Sequence, residues 1–157
     1  MKKLLFTFFL MFACQLAFCQ TASSVINDFR DKKHAEYVSV PSLMLTVAAA
    51  KVKDGNVAAL LKEVDEVKVL TLSSCSKSVR KKFAKKIAGL SASGYSEFTG
   101  VKKGKTGGKS VLVKESGGTI KEIVALSSDD DDCVCVLITG DINSEDVAAV
   151  IGIVDDK

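Results

Sequence analysis

Apolar residues run almost unbroken from Leu4 to Phe18, interrupted only by Thr7 and Gln15. Further along, the spacing becomes helical. Val25, Ile26 and Phe29 fall on one side of a short segment that the hydroxyls of Thr21 to Ser24 can cap, and the polar run Arg30 to His34 ends it. Glu36 to Val40 then alternates and is rich in β-formers, and Pro41, which suits the first turn of a helix, marks a change of element. Leu43, Val47 and Ala50 predict a helix over Ser42 to Lys53, closed by Asp54-Gly55-Asn56, with a second helix from Val57 to about Val64. Val67 to Leu72 reads as the next strand.

Ser73 to Ser76 offers a hydroxyl cap for a helix over about Lys77 to Leu90. Val79, Phe83, Ile87 and Leu90 form its apolar stripe, and Lys77, Arg80, Lys81, Lys82, Lys85 and Lys86 make the other side cationic. After Gly94 the period drops to two. Tyr95 to Lys102, Lys109 to Ser116, Thr119 to Leu126 and Cys133 to Thr139 read as four short-looped strands, with Gly117-Gly118 closing a hairpin. A last helix starts at Asn143 or Ser144 and runs through Val147, Val150 and Ile151. The expected class is α+β in the order α-β-α-α-β-α-β-β-β-β-α, with helices packed on one face of a mostly antiparallel sheet of about six strands.

The opening apolar run fits a secretory signal over residues 1–19. Met1-Lys2-Lys3 supplies the charged start, and Ala17-Phe18-Cys19 before Gln20 supplies small side chains at the positions a cut requires. Gln20 is the expected first residue of a single mature domain, 20–157. The run is shorter than the roughly 20 residues a helix needs to cross a bilayer, and no transmembrane segment is expected in the mature chain. A periplasmic or secreted location follows. The alternative is an outer-membrane lipoprotein acylated at Cys19, against which Phe18 stands where a small residue is usual.

Losing residues 1–19 changes the charge. The chain has 22 Lys and Arg against 19 Asp and Glu, and without Lys2 and Lys3 the excess of 3 falls to 1, which gives no reason to expect nucleic acid or an anionic membrane as partner. Of five cysteines, Cys75, Cys133 and Cys135 remain, an odd number that allows at most one internal bridge. Cys133 and Cys135 point to the same face of a strand, about 6.5 to 7 Å apart. They are expected as buried thiols, or with one of them bridged to Cys75, and not as a redox pair, which has two residues between its cysteines at a helix N-terminus.

The remaining motifs have plain readings. Gly104 to Ser110 is rich in glycine and lysine, but three residues rather than four separate its glycines and a strand rather than a helix follows, so a hairpin loop is expected. Asp129 to Asp132 lacks the alternating oxygen ligands of a calcium loop and reads as an acidic connection. His34, the single histidine, reads as a solvated loop residue; no metal or cofactor is expected. The charge division is the stronger signal. Lys77 to Lys109 holds ten basic residues and one acid, whereas Glu115 to Asp156 holds eleven acids and one base. The plain reading is two separate solvated faces; the functional reading makes Arg80, Lys81, Lys82, Lys85 and Lys86 the candidate electrostatic contact face, for an anionic envelope component or a second copy.

The element order, Glu36 to Val40 leading into the Leu43 helix, Val69 to Leu72 before a helix, and Val136-Leu137-Ile138-Thr139-Gly140-Asp141-Ile142 together resemble the domain-of-unknown-function family 4252 of small exported bacterial proteins, over roughly residues 24 to 153. The resemblance implies export and one α+β domain and carries no catalytic residue. The expected function is a non-enzymatic envelope or secreted module that binds a partner or assembles with itself. The alternatives are an enzyme with an unrecognised site and a lipid-anchored accessory subunit.

Overall fold

A computed structural model describes residues 20–98 and 108–147. Within them lie α1 (Ala22–Arg30), β1 (Glu36–Pro41), α2 (Ser42–Ala49), α3 (Gly55–Glu63), β2 (Val64–Thr71), α4 (Lys77–Ala88), a 3-10 turn (Gly89–Ser93), β3 (Ser96–Glu97), β4 (Gly108–Ser116), β5 (Thr119–Ser128) and β6 (Cys133–Ile142). The chain is helical again at 144–147, and the rest of the expected last helix lies outside the described residues. The class is α+β, with the expected order of elements.

Local chemistry sets the boundaries. Thr21 caps α1 in a reciprocal box, its hydroxyl accepting from the Ser24 amide while the Ser24 hydroxyl accepts from the Thr21 amide. Asp54 accepts from the amides of Asn56 and Val57 and so opens α3. Asp54 takes extended backbone as that cap, and α2 ends at Ala49, short of the expected Lys53. Gly117 and Gly118 both take positive φ, 64° and 83°, the twist that closes the β4–β5 hairpin in two residues.

The sheet has six strands in the order β1-β2-β6-β5-β4-β3, and every neighbouring pair is antiparallel. The four C-terminal strands make the expected meander, and β6 returns to pair with β2. Two apolar clusters lie on opposite faces, because adjacent strand residues point opposite ways. Leu70, Leu126, Cys135 and Leu137 pack with α1 and α4 in one cluster. Val67, Ile123 and Ile138 belong to the other, with Leu45 of α2 and Leu60 and Leu61 of α3. The helices therefore flank both faces rather than one: α1 and α4 close the first, and α2 and α3 cover one end of the second. Two apolar helix pairs separated by a strand each need a surface to bury against, and a sheet with two apolar faces supplies both.

Candidate functional site

The cationic side of α4 divides by residue. Arg80 is half-buried, and its guanidinium donates to the carbonyls of Ser73 at 2.8 Å, Cys75 at 3.2 Å and Asp130 at 2.6 Å. It ties the β2–α4 turn to the β5–β6 connection and is occupied inside the molecule. Lys77 pairs with Asp130 at 3.7 Å, so the basic and acidic regions partly meet within one chain. Lys81, Lys82 and Lys85 stay exposed. Lys86 pairs with Asp28 of α1 at 3.3 Å and lies 5.7 Å from the Phe29 ring centroid.

The three described cysteines are free thiols in the core between the sheet and α1/α4. Cys133 and Cys135 share that face, as alternation requires. Burial raises all three thiol pKa values and carries Cys135 to about 12, the opposite of what a reactive thiolate needs. Cys75 sits at the surface end of the cluster, its sulfur 3.4 Å from the Lys33 carbonyl oxygen.

Asp129 to Asp132 form a tight connection. The Asp129 amide donates to the Asp132 carbonyl, the Asp132 amide donates to the Asp129 carboxylate at 2.8 Å, and the Ser73 hydroxyl donates to the Asp132 carboxylate. His34 is exposed in the α1–β1 turn with φ 69°. Gly108 to Ser110 open β4, so the glycine-lysine segment enters a strand; its residues 104 to 107 lie outside the described ones, as does Cys19.

Two features went unread in the sequence. One is a polar clasp: the buried Tyr95 hydroxyl donates to the Glu122 carboxylate and accepts from the Ala22 amide at 3.1 Å. The other is a bare apolar surface. The large hydrophobic side chains exposed among the described residues are Val38 (56%), Leu43 (75%), Met44 (62%) and Val47 (55%), which all fall within β1 and α2. Leu45 and Ala49 face the core, and Leu43 and Val47 lie on the opposite side of the same helix. The sheet beside α2 is also incompletely covered: the row Val38, Val69, Val136, Ala125 and Val111 crosses five strands, and none of it is fully buried. One signal could have found it, for no charged residue occurs from Tyr37 to Ala50.

Among the described residues no helix is long and apolar enough to cross a membrane. No curated protein and no solved structure matches the chain. A family model does match residues 29–150, most of the chain, and so this protein belongs to the family described as Domain of unknown function (DUF4252).

Proposed function

We propose that this protein is an exported, non-enzymatic module that engages a protein partner or a second copy of itself through the β1–α2 surface. The observation that carries the reading is the concentration of exposed Val38, Leu43, Met44 and Val47 on two consecutive elements. A helix apolar on both sides needs cover on both sides, and α2 has it on one. Contiguous apolar surface of this kind marks interaction sites on folded domains. Export is supported by the N-terminal pattern of Met1-Lys2-Lys3, the apolar run to Phe18 and the small residues before Gln20.

Site-specific photo-crosslinking in intact cells tests the contact. A photoreactive residue at position 43 or 47 is expected to give one discrete adduct, with a partner or with the chain itself, and the same probe at position 81 on α4 is expected to give none. Adducts no more frequent from 43 and 47 than from 81 would remove the reading. Intact mass of the recovered protein tests export: a start at Gln20 supports a soluble exported form, a Cys19 start with an acyl increment supports the anchored form, and an unprocessed Met1 start in the cytoplasmic fraction rejects both.

A further inference from the structure

On the sheet face opposite α2, α1 and α4 are held together by Phe29 and Phe83, whose rings meet edge-to-face with centroids 5.1 Å apart and planes at 70°. Beside that contact the two helices leave an open cleft of about 780 Å³. Phe29 and Val79 supply its apolar floor, and Lys32, Lys82, Lys85 and Lys86 stand around it. Among the described residues the one carboxylate in the lining, Asp28, is paired with Lys86. Lys32, Lys82 and Lys85 make no ion pair among the described residues, so the cleft carries a positive surplus over apolar ground.

We propose that this cleft binds an anionic amphiphile, a single acyl chain with a carboxylate or phosphate head. The head meets Lys82 and Lys85, neighbours at i and i+3 on α4, and the chain lies on Phe29, Val79 and the lysine methylenes. Each half of the ligand is needed to use the site. A bare inorganic anion leaves the floor wet, a neutral chain leaves the lysines unmatched, and a cationic amphiphile is repelled. The volume lies in the range of small-molecule sites, and low-dielectric walls concentrate the field of the lysines within the cleft. This ligand is independent of the β1–α2 contact, because the two surfaces lie on opposite faces of the sheet.

Calorimetry with dodecanoate below its micelle concentration tests the proposal, on protein expressed from the full chain and recovered as the cell leaves it. One ligand per chain is expected, with affinity falling as salt rises and at least about tenfold weaker binding of dodecanol. Lys82→Glu/Lys85→Glu, both at exposed positions, is expected to lower dodecanoate affinity by about tenfold or more with the melting temperature little changed. Lys62→Glu, on α3 across the sheet, is expected to leave affinity unchanged. Val79→Phe fills the floor and is expected to weaken dodecanoate and dodecanol alike. No measurable heat, equal affinity for dodecanoate and dodecanol, or indifference to Lys82→Glu/Lys85→Glu would overturn the proposal. So would co-sedimentation with anionic phospholipid vesicles without binding of monomeric dodecanoate, which would assign the lysines to a membrane surface.

Discussion

The Tyr95 hydroxyl donates to the Glu122 carboxylate, and the same oxygen accepts from the Ala22 amide at the start of α1. Tyr95 follows the 3-10 turn and is 3% exposed, while Glu122 sits at the bulge of β5 where its pairing with β6 shifts. Lys114 lies over the Tyr95 ring, 5.3 Å from its centroid. One side chain thus joins the first helix, the end of the α4 region and the meander. Tyr95→Phe keeps the ring but leaves the Ala22 amide and the Glu122 carboxylate without their shared partner, at a cost of about 1–3 kcal/mol. A lower urea midpoint, together with faster amide exchange over residues 22 to 26, is expected; a lower midpoint without faster exchange there would place the loss elsewhere.

Stability should fall on the alkaline side. Burial raises the Cys135 thiol to about 12 from an ordinary 9.0, and burial first and Glu122 second raise the Tyr95 hydroxyl. Both groups are neutral in the fold below their unfolded pKa values, so their contribution is complete there. Above about pH 9 the unfolded chain releases the Cys135 proton while the folded chain holds it, and from about pH 10 Tyr95 adds the same effect. Each group then lowers stability by up to about 1.4 kcal/mol per pH unit. Urea midpoints under reducing conditions at pH 8, 9 and 10 should fall progressively, and Cys135→Ala should flatten the first part of the decline.

Gly140 pairs with Val64 where α3 passes directly into β2. A Cβ at Gly140 would overlap the Glu63 carbonyl oxygen and lie 3.0 Å from Val64 Cα, both main-chain atoms that no rotamer change can move. Gly140→Ala should therefore destabilise by about 1–3 kcal/mol, the usual cost of overpacking. Gly89→Ala, where a Cβ meets nothing within 4 Å, is the control and should be neutral or mildly stabilising. Equal thermal shifts for the two variants would show that the α3–β2 junction yields freely.

The elements were legible because their signals are local. Hydroxyl caps at Thr21 and Ser76 open two helices, and the glycine pair at 117 and 118 closes a hairpin; Asp54, in sequence a stop for α2, is in the structure the cap that opens α3. The side of the sheet that each helix takes was not legible, since periodicity gives each helix an apolar face without saying which sheet face receives it. In sequence Arg80 is indistinguishable from its lysine neighbours, because sequence shows charge but not reach. Tyr95 and Glu122 stand 27 residues apart, and the cleft joins Asp28 to Lys86 across 58, so both depend on tertiary placement that no motif encodes.

Arg80 and Lys81 are consecutive on α4 and should differ sharply in energetic weight. Lys81 is exposed with no ion pair among the described residues, and its replacement by alanine should change stability by less than about 0.5 kcal/mol. Arg80 donates to three carbonyls on two segments, and its planar fork matches that spread of acceptors in a way that a lysine ammonium does not. Arg80→Ala should cost about 1–3 kcal/mol by leaving those carbonyls short of a donor, and Arg80→Lys should recover only part of it. The loss should persist in high salt, because the bonds go to backbone carbonyls; the Lys77–Asp130 pair, by contrast, is open to screening. Denaturation of the three variants at low and high ionic strength separates these effects. An Arg80→Ala penalty that vanished in salt would return Arg80 to the exposed cationic face.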